Sequence, residues 1–158
     1  MIKSTGKYEH QYHNTLSAKK NLKQMIHMCG LHALYEKAEY NAEFKAEQLY
    51  KPLFSSDPSL YALVVEKGSN LVGYATYMKQ SSTWEASHYI YMDCLFILNE
   101  FRGLGIGEHM VNRIKEEGRK LGCLQIQWQT PAFNIGAIRF YHRIGAKSKS
   151  KERFFLTV

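Results

Sequence analysis

Phe101-Arg-Gly-Leu-Gly-Ile-Gly-Glu-His-Met110 is the stretch on which the reading of this chain turns. The apolar run Cys94-Leu-Phe-Ile-Leu98 leads into it, and a segment with helical spacing follows. Arg102, Gly103, Gly105 and Gly107 therefore belong to a strand-to-helix turn. Glycines let backbone N–H groups approach a ligand closely, and the positive end of the helix dipole points at the same spot. Such a nest suits a diphosphate, and Arg102 adds a charged fork. The run of three glycines exceeds what one turn requires.

Working outward, Gly107 to Leu121 reads as a helix with Met110, Val111, Ile114 and Leu121 inward and a stop at Gly122. Cys123 to Gln129 alternates, predicting a strand with Leu124, Ile126 and Trp128 on one face. Asn134 to Ile144 reads as a short helix ended by Gly145, and Arg153 to Val158 as a closing strand. Toward the N-terminus, His88 to Leu98 is a long strand, preceded by a loop over Gln80 to Ser87. Tyr61 to Glu66, the turn Lys67-Gly-Ser-Asn70 and Leu71 to Met78 form a hairpin. Asn41 to Tyr50 is expected to be a helix ending near Pro52. Ser17 is the expected N-cap of an earlier helix carrying Leu22, Met25, Ile26, Cys29, His32, Ala33 and Glu36 at helical spacing. Tyr8 to Leu16 is expected to be an edge strand. One mixed α/β domain over residues 1–158 follows, with no repeat or linker to divide it.

A length of 158 residues with 45% hydrophobic content suits one globular core. No apolar run approaches the roughly 20 residues that span a bilayer, so no membrane partner is expected. Residues 1–10 lack the apolar stretch of a secretory signal. Three scattered cysteines (Cys29, Cys94, Cys123) support neither a disulfide framework nor a zinc site. A cytoplasmic enzyme or binding protein is the default, with no metal. The net charge of +7 favours anionic partners, but its cations are spread along the chain without a nucleic-acid module.

With these elements placed, Arg102-Gly-Leu-Gly-Ile-Gly107 resembles the R/Q-x-x-G-x-G/A cofactor loop of the GNAT superfamily of acyl-CoA-dependent N-acetyltransferases. Asn134-Ile-Gly-Ala-Ile-Arg-Phe-Tyr-His-Arg-Ile-Gly-Ala146 resembles the superfamily's second cofactor segment. A narrower likeness is to diamine acetyltransferases of the spermidine/spermine type, carried by Ser82-Thr-Trp84, by Tyr91-Met-Asp-Cys-Leu-Phe-Ile97 and by Tyr35-Glu36. That resemblance implies an α/β (α+β) fold with a mixed, mostly antiparallel central sheet flanked by helices. It also implies acetyl-CoA as cofactor, a small-molecule amine as substrate and a homodimer.

Direct acyl transfer from a thioester to an amine needs a held cofactor, a neutral amine, a stabilised oxyanion and a protonated leaving thiolate. The resemblance implies that backbone groups of Gly103, Leu104, Gly105, Ile106, Gly107 and Glu108, with Arg102, hold the pyrophosphate. It implies that amides of Leu95, Phe96 and Ile97 face the cofactor, because related proteins splay this strand from the next one. Asn134 and Tyr141 are seven apart, so they share a helix face with the small Ala137 between them. By resemblance, Asn134 contacts the cofactor and Tyr141 donates the proton to the thiolate.

An alkylammonium has a pKa near 10, so a carboxylate must bind it or take its proton. Asp93 and Glu36 are the candidates, and Glu36 lies four positions after His32 on one helix. Trp84 is expected to wall the substrate pocket. Cys94 has no His-Asp partners and reads as core. The expected activity is acetyl transfer to a primary amine of a small di- or polyamine or a lysine-like substrate. The rivals are an aminoglycoside or protein acetyltransferase of the same fold and a non-catalytic acyl-CoA-binding module.

Overall fold

In the computed structural model, residues 11–13 and 17–158 are described, with side chains from residue 19 onward. Their strands form one sheet in the order β1 (Gln11–His13), β2 (Tyr61–Lys67), β3 (Asn70–Ser82), β4 (Ser87–Ile97), β5 (Cys123–Gln127). The first four pair antiparallel and β5 runs parallel to β4. A parallel neighbour needs a crossover, and α3 (Ile106–Lys120) supplies it. A 3-10 turn, Ser17–Asn21, leads into α1 (Leu22–Tyr35), followed by α2 (Lys45–Phe54), while α4 (Ile135–Arg143) comes last. Sequence and structure agree on a mixed, mostly antiparallel sheet with flanking helices.

The period-two alternation of β2 feeds two cores. Ala62 and Val64 pack with Met25, Met28, Leu53, Tyr74 and Phe96 beneath α1 and α2. Leu63 and Val65 pack with Ala75, Ile90, Met92, Met110 and Ile114 beneath α3. Full burial of an apolar side chain is worth about 1.5–3 kcal/mol, so the stripe Met110, Val111 and Ile114 holds α3 on the sheet. That packing fixes where the glycine turn ahead of α3 lies.

Several sequence expectations need correction. The proposed edge strand is reduced to Gln11–His13 within the described residues; the rest of Tyr8 to Leu16 lies outside them. Helix α1 starts at Leu22, with Asn21 rather than Ser17 in the N-cap position. Helix α2 starts at Lys45, because Asn41 accepts from Glu43 N–H at 2.9 Å in an Asx turn and Phe44 takes φ 58. It then runs through Pro52 to Phe54. The β3–β4 hairpin is longer than expected, leaving only Thr83 to Ala86 as its connection. In β5 the register advances three residues, from Cys123 to Ile126, while β4 advances two, from His88 to Ile90. This irregularity turns Leu124 outward (79% exposed) and spoils the simple alternation. Arg153 to Val158 forms no strand, and Phe154, Phe155, Leu156 and Val158 are exposed.

Candidate active site

Two irregularities of β4 create the site. Thr76 pairs with Cys94 and Tyr77 with Met92, so Asp93 is an extra residue opposite nothing on β3. Such a bulge re-aims a side chain, and Asp93 is exposed in a strand whose neighbour Met92 is 2% exposed. It is therefore not the buried carboxylate that its apolar flanks imply. On the other edge, the last partner pair of β4 and β5 is Tyr91 with Gln127. Beyond Tyr91 the two strands part.

The parting opens a cleft of about 920 Å³, bordered by β4, α1, the turn into α3 and the start of α4. Leu98 N–H donates to Val72 O at 3.0 Å. Antiparallel alternation then gives Cys94 and Phe96 the residues whose peptide groups exchange with β3. Leu95 and Ile97 direct theirs toward the unpaired side. The Ile97 carbonyl accepts from Arg102 Nε at 2.9 Å, which leaves the N–H groups of Leu95 and Ile97 facing the cleft.

The glycine turn builds the second wall. Gly103 and Gly105 have φ of 76° and 82°, a conformation L side chains rarely adopt, and a Cβ at either would touch nothing within 4 Å. Gly105 is the N-cap of α3, whose first turn receives no side-chain cap. His109 N–H is bonded back to Gly105 O at 3.0 Å, so the N–H groups ahead of it point outward from the helix end. Gly107 answers a different need: its Cβ would lie 3.1 Å from the Phe140 ring and 3.3 Å from Ile97 Cδ1. Gly103, Gly105, Ile106, Gly107 and Glu108 line the cleft. Leu104 does not, and its side chain is 53% exposed. Arg102 lines it as well, held with its guanidinium 4.4 Å from the Tyr35 ring centre and 5.5 Å from that of Phe96.

Helix α4 forms the facing side. Asn134 is the N-cap, its Oδ1 accepting from Ala137 N–H at 3.2 Å and from the Tyr35 hydroxyl at 3.2 Å. Tyr35 thus ties both glycine-bearing segments to α1, a link that the residue order alone does not reveal. Ala137 and Tyr141 also line the cleft. Tyr141 packs against Trp128 and Phe140, with ring centres 5.0 and 5.1 Å away. Its hydroxyl makes no hydrogen bond to a described residue. Burial, reinforced by the charge of Glu36, pushes its pKa up to about 12, so it carries its proton at neutral pH.

Glu36 and Asp93 line the same cleft as Tyr141, together with the cations Lys151 and Arg153 of the C-terminal segment. Glu36 Oε1 lies 3.3 Å from His32 Nε2, and His32 Nδ1 lies 3.0 Å from the Tyr74 hydroxyl. Burial pushes the Cys94 thiol up to about 12, helped by the adjacent Asp93. A thiol that stays protonated is no nucleophile, which fits its reading as core. Trp84 departs from expectation: it lies in the hairpin connection, 93% exposed, and does not line the cleft. The reason is the length of β3 and β4, which carries it beyond the strand ends. Sequence reasoning passed over Tyr74, Lys151 and Arg153; only the four-residue spacing of His32 and Glu36 hinted at the polar cluster.

The cleft thus offers unpaired peptide N–H groups at a helix terminus and along a split strand, a protonated phenol and the carboxylates of Glu36 and Asp93. That set fits an acyl donor carrying a diphosphate.

Comparison with known proteins points the same way. Residues 26–146 match the family model described as Acetyltransferase (GNAT) family. The pig thialysine N-epsilon-acetyltransferase is 30% identical over 73% of this chain and 72% of its own length. The mouse protein of that name is 26% identical over 79% of this chain and 78% of its own. Among solved structures, an aminoglycoside N-acetyltransferase in complex with CoA superposes with a TM-score of 0.79 at 13% identity, covering 98% of this chain and 99% of that one.

Proposed function

Since the chain belongs to the acetyltransferase (GNAT) family and is an acetyl-CoA-dependent N-acetyltransferase, we propose that its acceptor is the side-chain amine of a lysine-like amino acid. One observation carries this reading: the cleft holding Tyr141 and the α3 terminus is lined by the carboxylates Glu36 and Asp93 and also by the cations Lys151 and Arg153. A polyamine offers only positive charge to such a mixed surface. A lysine analogue brings an ammonium for Asp93 and Glu36 and a carboxylate for the two cations. The names of the pig and mouse relatives agree with a thialysine-like acceptor.

Bound acetyl-CoA supplies a thioester whose acyl carbon is the electrophile. The chain's own residues supply the rest. The outward N–H groups of Ile106, Gly107 and Glu108 hold diphosphate, aided by the helix dipole. The N–H groups of Leu95 and Ile97 donate to the carbonyl oxygen as charge develops on it. Glu36 and Asp93 attract the ammonium and accept its proton, directly or through water, so that a neutral amine attacks. Tyr141 gives its proton to the departing sulfur.

The same reading places the protein in the cytoplasm, where its free Cys29, Cys94 and Cys123 stay reduced. No helix among the described residues is long and apolar enough to cross a membrane. It also makes the protein a homodimer, which would cover the exposed Trp84 and the apolar residues at 154–158; sedimentation equilibrium reports the mass directly.

The test of the acceptor is release of free thiol from acetyl-CoA with thialysine, lysine, ornithine, spermidine, an aminoglycoside and a lysine-bearing peptide. The expected ranking by kcat/KM puts the free amino acids first. A higher value for spermidine or for the aminoglycoside overturns the lysine-like assignment, and no thiol release with any amine overturns direct transfer.

A further inference from the structure

The cleft contains one polar arrangement that the reaction as described leaves unused. His32 of α1 is nearly enclosed, its side chain 14% exposed. Its ring stacks on Phe96 with centres 5.0 Å apart and planes 20° apart, and meets Tyr74 edge-on at 6.0 Å. Both nitrogens are engaged, Nδ1 with the Tyr74 hydroxyl at 3.0 Å and Nε2 with Glu36 Oε1 at 3.3 Å. The charged and titratable groups around the ring are Glu36 on its own helix, Tyr74 of β3, Asp93 of β4 and Arg102 of the turn before α3.

The hydrogen-bond directions follow from chemistry. Tyr74 is 1% exposed, and burial raises its pKa far above that of a free phenol, so its hydroxyl keeps its proton. The nearby thiols of Cys29 and Cys94 are weak acceptors, whereas an imidazole nitrogen is a strong one. Tyr74 therefore donates to Nδ1. Burial also lowers the His32 pKa, against the pull of Glu36, so the ring is neutral at neutral pH with its single proton on Nε2. That proton faces Glu36, whose Oε1 lies 3.3 Å from Nε2. No lone pair remains to take a proton from substrate, so His32 is not the base.

We propose that His32 is a positioning residue: clamped by Tyr74 and Phe96, it holds one oxygen of Glu36 so that the other faces the acceptor ammonium. The inference rests on the reading of Glu36 as a partner of the amine. Glu36 stands just past the end of α1, where its backbone N–H bonds back to His32 O at 2.9 Å. A carboxylate at a helix end has several rotamers, and one charge-assisted hydrogen bond selects among them. The device spans three elements: His32 of α1, Tyr74 of β3, which lies 42 residues away, and Phe96 of β4.

Four full-length variants test this with thialysine as acceptor: His32→Leu, His32→Gln, His32→Asn and Glu36→Gln. His32→Leu removes the donor and should raise KM for thialysine about tenfold, the scale of one hydrogen bond to a charged group. kcat should stay within about threefold and calorimetric acetyl-CoA affinity within about twofold. His32→Gln places an amide N–H near the Nε2 position and should recover most of the loss. His32→Asn reaches only the Tyr74 side and should not. A His32→Leu enzyme with unchanged KM overturns the proposal, as do equal KM values for Gln and Asn. The Gln/Asn comparison decides the matter should the leucine variant not fold. If Glu36→Gln leaves KM unmoved, the role of Glu36 falls and this inference with it. If Glu36→Gln raises KM while His32→Leu does not, only the assignment of His32 falls.

Discussion

Replacing Tyr141 by Phe separates a catalytic proton donor from a packed aromatic. The hydroxyl of Tyr141 has no hydrogen-bond partner among the described residues, and its ring contacts are with Trp128 and Phe140. Removing the oxygen therefore orphans no buried group and opens no cavity among those rings. Stability should stay within about 0.5 kcal/mol of the wild type, or about 2 °C in Tm for a chain of this size. The rate should respond very differently. General-acid catalysis typically contributes about 10²- to 10⁴-fold, and the expected fall in kcat is at least tenfold, about 1.4 kcal/mol of barrier. Because burial pushes this phenol up to about 12, its ionisation should leave no mark on the wild-type pH–rate profile below about pH 11. The assay is thiol release from acetyl-CoA at saturating amine, beside a thermal melt and a calorimetric titration with acetyl-CoA. A folded Tyr141→Phe enzyme that turns over within twofold of the wild type would refute the donor role.

Gly105→Ala forces a side chain into φ 82°, at a cost of about 1–2 kcal/mol in backbone strain. The added methyl meets no protein atom but stands where a diphosphate approaches, so acetyl-CoA affinity by calorimetry should fall at least tenfold. Asn134→Ala removes an oxygen that accepts from both Ala137 N–H and the Tyr35 hydroxyl. Loss of such a cap costs about 1 kcal/mol, so Tm should drop by about 2–4 °C, while Asn134→Asp should keep most of it. Burial depresses the His32 pKa, so below pH 6.5 the unfolded chain binds protons that the folded one resists. The stability that His32 contributes is thus present above pH 6.5 and lost as pH falls through its folded value. Urea midpoints at pH 8 and pH 5.5 should show this loss, and His32→Gln should make the two midpoints converge.

How much was legible in the chain follows the range of each interaction. Gly103, Gly105 and Gly107 speak for themselves, because a positive φ or a close helix contact is demanded within a few bonds, whatever packs elsewhere. The 3.6-residue stripe of α3 and the seven-residue span from Asn134 to Tyr141 are local in the same sense. So strand, turn and helix, and with them the glycine-turn wall of the cleft, were readable from residue order.

The wall that carries Asp93 and Glu36 was not. Asp93 lies in the open because β4 carries one residue more than β3, and a bulge leaves no mark in hydrophobic pattern. Trp84 left the expected pocket because the hairpin pairs out to Ser82 and Ser87. Leu124 turned outward where β5 slips against β4, and 154–158 found no strand to join among the described residues. The contact of His32 with Tyr74 joins residues 42 apart. By itself the sequence determined where backbone amides are stripped bare and which helix face holds the phenol, since covalent geometry and helical period act over a turn or two. Only the tertiary structure decided which carboxylates, cations and aromatic rings share the cleft. Strand register and the parting of β4 from β5 arise from pairing between segments that the chain order does not bring together.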